Sequence, residues 1–169
     1  MKSDPLMEQV TGILVRAQVP FEFHEDGDEI GVSTDEAVVF MRPRDQNGEK
    51  LLHLEADLAV GIEMSQEVAS GIYVWLNHRN AEESMARFVL HEAPRDEGQV
   101  QTAWVSAEWE LKGDGLEASQ LLSSIAVLTG LVGAQADSLV QLFGGQTPSD
   151  LREECRELNE DSGADSPEG

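Results

Sequence analysis

SQEVASGIYVWLNHRN, residues 65–80, is the stretch whose reading decides the fold. Ser65 has the side chain of an N-cap, and Glu67 in the first turn meets the positive end of a helix. Val68, Ile72, Trp75 and Leu76 recur at the spacing of one buried helical face. His78 and Arg79 then place cations near the negative end, where Asn77 and Asn80 also break the apolar pattern. Gly71 lies inside this helix, where glycine costs about 1 kcal/mol against alanine. A close approach by another backbone would offset that cost; simple tolerance of the glycine is the other reading.

Outward from this helix the chain changes character on both sides. Upstream, Asp4-Pro5 opens a first helix with apolar face Leu6, Val10, Ile13, Leu14 and Ala17, ended by Val19-Pro20. Four strand-like segments follow. Phe21 and Phe23 alternate with Glu22 and His24; Asp26-Gly27-Asp28 is a hairpin signal; Ile30 and Val32 mark the second segment. Residues 37–41 form an apolar run that Pro43 is expected to stop. Asn47-Gly48 is the strongest turn signal in the chain. Beyond it Leu52, Leu54, Ala56 and Leu58 point one way, and His53, Glu55 and Asp57 the other.

Downstream of the central helix, residues 87–91 and 99–111 read as two more strands. In the second, Val100, Thr102 and Trp104 share one face and Val105, Ala107, Trp109 and Leu111 the other, which implies a bulge or a face covered along only half its length. Asp114 and Glu117 have the spacing of a capping box. They open a long helix with Leu121, Leu122, Ile125, Leu128, Val132, Ala136, Leu139, Val140 and Phe143, stopped by Gly144-Gly145. Gly130 and Gly133 are candidate bending points. The run over 121–136 is broken by polar residues and reads as too polar and short for a membrane span. Thr147-Pro148 starts a short helix in which Leu151, Cys155 and Leu158 share a face, so Cys155 is expected to pack rather than react.

The fold class is therefore α+β: a twisted antiparallel sheet with helices mainly on one face, in the order α-β-β-β-β-α-β-β-α. The expected organisation is one domain over residues 1–145, a short amphipathic helix over 146–159 and a disordered acidic tail over 160–169. Lysine and arginine number 11 against 33 acids, a formal net charge of -22. Such a field repels phosphate backbones and anionic membranes, so neither nucleic acid nor membrane is an expected partner. The single cysteine excludes an intramolecular disulfide or a cysteine-based zinc site. With no apolar leader at the N-terminus, a cytoplasmic location is expected.

No Gly-x-Ser-x-Gly, phosphate loop or dinucleotide fingerprint occurs, and no catalytic residue or cofactor is assigned. No metal site is assigned either; a divalent ion would draw on His53, Glu55, Asp57 and His24 if their strands were neighbours, against the plainer reading of a solvated sheet face. Aromatic residues are only 5% of the chain, so each tryptophan is a large share of the apolar area available to a partner. Trp104 is the first candidate for a protein interface, with Gly71 and Trp75 behind it.

The helix end Trp75-Leu76-Asn77-His78-Arg79-Asn80, followed by Phe88-Val89-Leu90 and set in this order of elements, resembles the YbjN-like family and the type III secretion chaperones that share its broad fold. The resemblance covers roughly residues 5–143. It implies a homodimer that binds protein through apolar patches and an exposed sheet edge. The expected function is a non-enzymatic, protein-binding role, chaperone-like or regulatory, with a basic or apolar client segment. The alternatives are a small-ligand or metal-binding domain, or an unrecognised enzyme.

Overall fold

Helix α1 (Pro5–Arg16) begins at the cap and proline read from the sequence: Asp4 accepts a hydrogen bond from the Leu6 N–H at 2.8 Å. The computed structural model describes residues 4–24, 28–94 and 98–162, with side chains described to position 156. Asp4 also receives Lys50 Nζ at 2.6 Å, which holds its carboxyl below the ordinary range and ties α1 to the sheet.

Strands β1 (Glu22–His24), β2 (Glu29–Ser33), β3 (Val38–Gln46) and β4 (Glu49–Glu63) precede helix α2 (Gln66–Glu82). Strands β5 (Arg87–Glu92) and β6 (Thr102–Lys112) follow it, then helices α3 (Ala118–Phe143) and α4 (Pro148–Ser162). The strands form one antiparallel sheet in the order β1-β2-β3-β4-β6-β5. Asn47 and Gly48 turn β3 into β4 with φ of 52° and 84°, the pair of positive values that a two-residue hairpin turn requires.

The period of two along each strand sorts the side chains onto two faces. Val39, Met41, Leu52, Leu54, Ala56, Phe88, Val105 and Ala107 share one face, and all belong to the buried core. Leu6, Val10, Ile13 and Leu14 of α1, Ile72 and Leu76 of α2, and Leu121, Leu128, Val132 and Leu139 of α3 close the core from that side. The opposite face carries Arg42, His53, Glu55, Asp57, Ser106 and Glu108, none of which belongs to the core cluster.

Several local expectations are corrected. Pro43 does not stop β3, which runs on to Gln46 opposite Glu49. Pairing with β2 ends at Met41, so Pro43 sits where β3 has an open side and its missing donor breaks no ladder there. The cap of α3 is Glu117 and not Asp114: the Glu117 N–H donates to Gln120 Oε1 at 3.1 Å, and buried Leu116 fixes the turn before it. Strand β6 keeps a regular alternation; the irregularities lie in β4, between Asp57 and Ala59 and between Ala59 and Ile62. Phe23 is largely exposed because β1 is a three-residue edge strand with little to cover it. Cys155 is exposed rather than packed.

Helix α3 is 26 residues long and, by length and composition, apolar enough to cross a membrane, contrary to the sequence reading. Its Leu121, Ile125, Leu128, Val132, Ala136 and Leu139 recur at helical spacing and bury one face of the helix in the core. Gly144 and Gly145 end it, with φ of 81° and 86°. Gln146 then pairs with Val60 through hydrogen bonds of 3.0 and 2.9 Å, fastening the chain to β4. Thr147 and Asp150 cap each other's backbone to start α4, which continues to Ser162. Residues 26 and 27 of the expected first hairpin and residues 163–169 of the expected tail lie outside the described residues.

Candidate functional site

The helix-free face of the sheet gathers most of the polar residues singled out in the sequence. Strand β4 supplies His53, Glu55 and Asp57; β6 places Glu110, Glu108 and Ser106 directly opposite them. Strand β3 adds Arg42 and Arg44, and the edge strand β5 adds Arg87 and His91. The centre of this face is not solvated. His53 is fully buried, and Ser106, Glu55 and Glu108 are nearly so. Among the described residues no helix covers this face, and long arginine side chains and the Trp104 ring stand over it instead.

Arg42 donates to Glu55 Oε2 at 2.5 Å and lies 3.4 Å from Glu29. His91 Nε2 lies 2.9 Å from both Glu108 Oε1 and Ser106 Oγ. The His53 imidazole beside it, with the Arg42 charge, holds the Glu55 carboxyl below the ordinary range against the opposing effect of burial. Burial, with the Glu55 charge added, pushes Asp57 up to about 6. His24 does not join this group: β2 and β3 separate β1 from β4, and its ring packs edge-on to Phe40 at 5.3 Å. Trp104 does lie here, stacked on His91 with ring centroids 4.8 Å apart and planes 13° apart.

Gly71 and Trp75 lie elsewhere, on α2. A Cβ at Gly71 would stand 2.7 Å from Phe143 Cε1, so the close approach comes from an aromatic ring of α3 rather than from backbone. Trp75 is half-buried, edge-on to Phe88 at 5.2 Å, with the Arg79 guanidinium 5.7 Å above its ring. The adjacent Tyr73 and Val74 point outward, 52% and 70% exposed.

A third feature was not legible in the sequence. A cavity of about 530 Å³ opens between α3 and the end of β2, lined by Val19, Val32, Leu122, Ile125, Ala126 and Gly130. Asp35 and Glu36 of the turn between β2 and β3 also line it, with the Glu36 carboxylate packed against Gly133 of α3. Arg152 of α4 donates to the carbonyls of Thr34 and Asp35 at 2.8 and 3.3 Å, which fixes that turn. Ala126 and Gly130, one helical turn apart, leave the groove open because neither carries a long side chain. Their separation from Val19 and Val32 by about a hundred residues hid the groove from any local pattern.

Gly130 has open space where a Cβ would be and no positive φ. Gly130→Ala is therefore expected to raise stability by about 0.5–1 kcal/mol. The check is a higher urea midpoint at unchanged slope; a lower midpoint would show that the position is strained.

Residues 4–151 match the protein family described as T3SS (YopN, CesT) and YbjN peptide-binding chaperone 1, abbreviated TY-Chap1. The crystal structure of YbjN from E. coli aligns with a TM-score of 0.52 at 10% identity, over 81% of this chain and 93% of that one. At that identity the likeness shows the fold alone. No curated protein matches the chain in sequence.

Proposed function

We propose that this chain, which belongs to the TY-Chap1 family of peptide-binding chaperones, holds an extended client segment in the groove between α3 and the β2 end. Membership of that family makes it a non-enzymatic, protein-binding chain. The client is a segment with an apolar anchor flanked by lysine or arginine. The observation that carries this reading is an apolar groove whose lining also includes the acids Asp35 and Glu36. A net charge of -22 extends the same selection over long range, by steering basic segments toward the protein. The protein acts as a soluble, cytoplasmic homodimer. Its self-association uses the outward face of α2, where Tyr73 and Val74 expose apolar surface beside Gly71 and Trp75. Trp104 remains a contact for a protein partner on the opposite sheet face.

Fluorescence anisotropy with labelled peptides tests the groove. A peptide with one leucine between lysines is expected to bind more tightly than the same peptide with glutamates, and the difference to shrink with salt. Ala126→Trp, which fills the groove from an exposed helical position, is expected to weaken binding at least ~10-fold, about 1.4 kcal/mol, without unfolding the protein. Unchanged affinity in that variant would remove the groove as the binding site. Val74→Glu is expected to shift sedimentation toward monomer while peptide affinity holds.

A further inference from the structure

We infer that His53, Glu55 and Glu108 at the buried centre of this sheet face, with His91 at its half-buried edge, bind one divalent transition-metal ion, zinc by its ligand chemistry. Each histidine approaches both carboxylates. His53 Nε2 stands 3.6 Å from Glu55 Oε2 and 3.9 Å from Glu108 Oε2. His91 Nε2 stands 3.7 Å from Glu55 Oε1 and 2.9 Å from Glu108 Oε1. A tetrahedral zinc ion with nitrogen and oxygen ligands at about 2.0–2.1 Å holds neighbouring donor atoms about 3.4 Å apart. His53, Glu55 and Glu108 each bring one donor atom within 4.8 Å of the others, close to that separation, whereas His91 meets the two carboxylates through their other oxygens and moves inward to become the fourth ligand.

His53 supplies the second observation. It is fully buried, yet among the described residues neither ring nitrogen has a hydrogen-bond partner. Buried polar atoms are otherwise paired almost without exception, because leaving one unpaired costs about 1–3 kcal/mol. Two carboxylate oxygens, of Glu55 and Glu108, stand 3.6 and 3.9 Å from Nε2, too far to accept a hydrogen bond and near the spacing that a shared ion sets. An ion on Nε2 removes one orphan atom directly. The other, Nδ1, has Glu110 Oε1 3.9 Å away, beyond hydrogen-bond reach here; a small closure on binding would form the carboxylate–histidine pair that orients a metal-bound imidazole.

Charge and softness agree with this assignment. Two neutral imidazoles and two carboxylates around a dication form a neutral first shell, and mixed nitrogen and oxygen donors suit zinc better than calcium or magnesium. Arg42 donates to Glu55 Oε2 and Arg87 lies 4.0 Å from Glu108 Oε2, the oxygens that also face His53, so an ion there shares them with, or displaces, the guanidinium groups. Trp104 stacks on His91 and fixes its plane. His53 and Glu55 on β4 and Glu108 on β6 sit on neighbouring strands, so three ligands are held by the sheet itself. His91, 26% exposed at the edge, gives the ion its way in. On binding, the Ser106 hydroxyl exchanges its contact with His91 for Glu108 Oε1, now 3.5 Å away. Of the strand residues named from the sequence, His53 and Glu55 stay; Glu108 and His91 take the places of Asp57 and His24.

The test uses the full chain, stripped with a chelator and titrated with zinc and then cobalt. One equivalent is expected to bind far more tightly than the many surface carboxylates, giving the visible spectrum of tetrahedral cobalt and a change in tryptophan fluorescence through Trp104. His91→Ala, at the half-buried edge, and Glu108→Gln are each expected to weaken that event at least ~10-fold with a cooperative urea transition retained, while His24→Ala leaves it unchanged. Weak binding of several equivalents with no tetrahedral signature, or tight binding that His91→Ala does not alter, would overturn the assignment.

Discussion

Gly145→Ala is expected to lower the stability of the fold by about 3 kcal/mol, read as a fall in the urea midpoint at unchanged slope. Two costs combine. The φ of 86° lies where an L-residue meets its own carbonyl, at about 1–2 kcal/mol. The new Cβ would also stand 2.5 Å from the Val60 carbonyl oxygen and 3.0 Å from Ile62 Cγ1. The first of these neighbours is backbone and cannot rotate away. Moving it would disturb the paired hydrogen bonds between Val60 and Gln146 that hold the α3–α4 junction against β4. Gly144 provides the comparison: φ 81° and ψ -166° are glycine-only geometry, but a Cβ there meets nothing within 4 Å. Gly144→Ala should therefore show the backbone cost alone. If Gly145→Ala is no worse than Gly144→Ala, the crowding against Val60 has no energetic weight.

Asn80→Ala is expected to cost about 2–3 kcal/mol. The Asn80 side chain does for β5 what a further strand would do. Its Oδ1 accepts from the Phe88 N–H at 2.7 Å, and its Nδ2 donates to the Phe88 carbonyl at 3.0 Å. Phe88 is buried at the end of the sheet, so alanine would leave both groups unpaired. Asn80→Asp keeps the acceptor and removes the donor, and is expected to cost roughly half as much. Thermal unfolding of the two variants beside the parent separates these outcomes; equal loss in both would mean that charge, not the paired bonds, sets the effect. Because Trp75 rests on the Phe88 ring, loss of the clamp should also shift tryptophan emission toward that of a more exposed ring.

Much of this arrangement was legible locally. The cap at Ser65 is present, with its oxygen 3.1 Å from the Val68 N–H. The Asn47-Gly48 turn, the paired glycines after Phe143 and the alternation over residues 52–57 of β4 each depend on a few adjacent residues, and each stands as read. The order of elements led to an α+β sheet with helices on one face, and to the family, because secondary-structure period and turn chemistry are short-range properties. The differences have one source. Whether β3 can keep Pro43 depends on where β2 ends. The cap of α3 depends on the burial of Leu116, and the exposure of Cys155 on which side of α4 meets the sheet.

Strand neighbours account for the rest. Alternation showed that His53, Glu55 and Asp57 share a side, but not that β6 would set Glu108 beside them and β5 would bring His91 across. It could not show that this side is buried, because the cover comes from arginines and a tryptophan on other strands. The same holds for the groove, whose two walls come from β2 and α3. Local chain chemistry fixed which segments are helix, strand and turn, since those energies arise within a few residues. Long-range pairing decided which polar groups lost their water and which apolar groups kept it, since burial belongs to the packed whole.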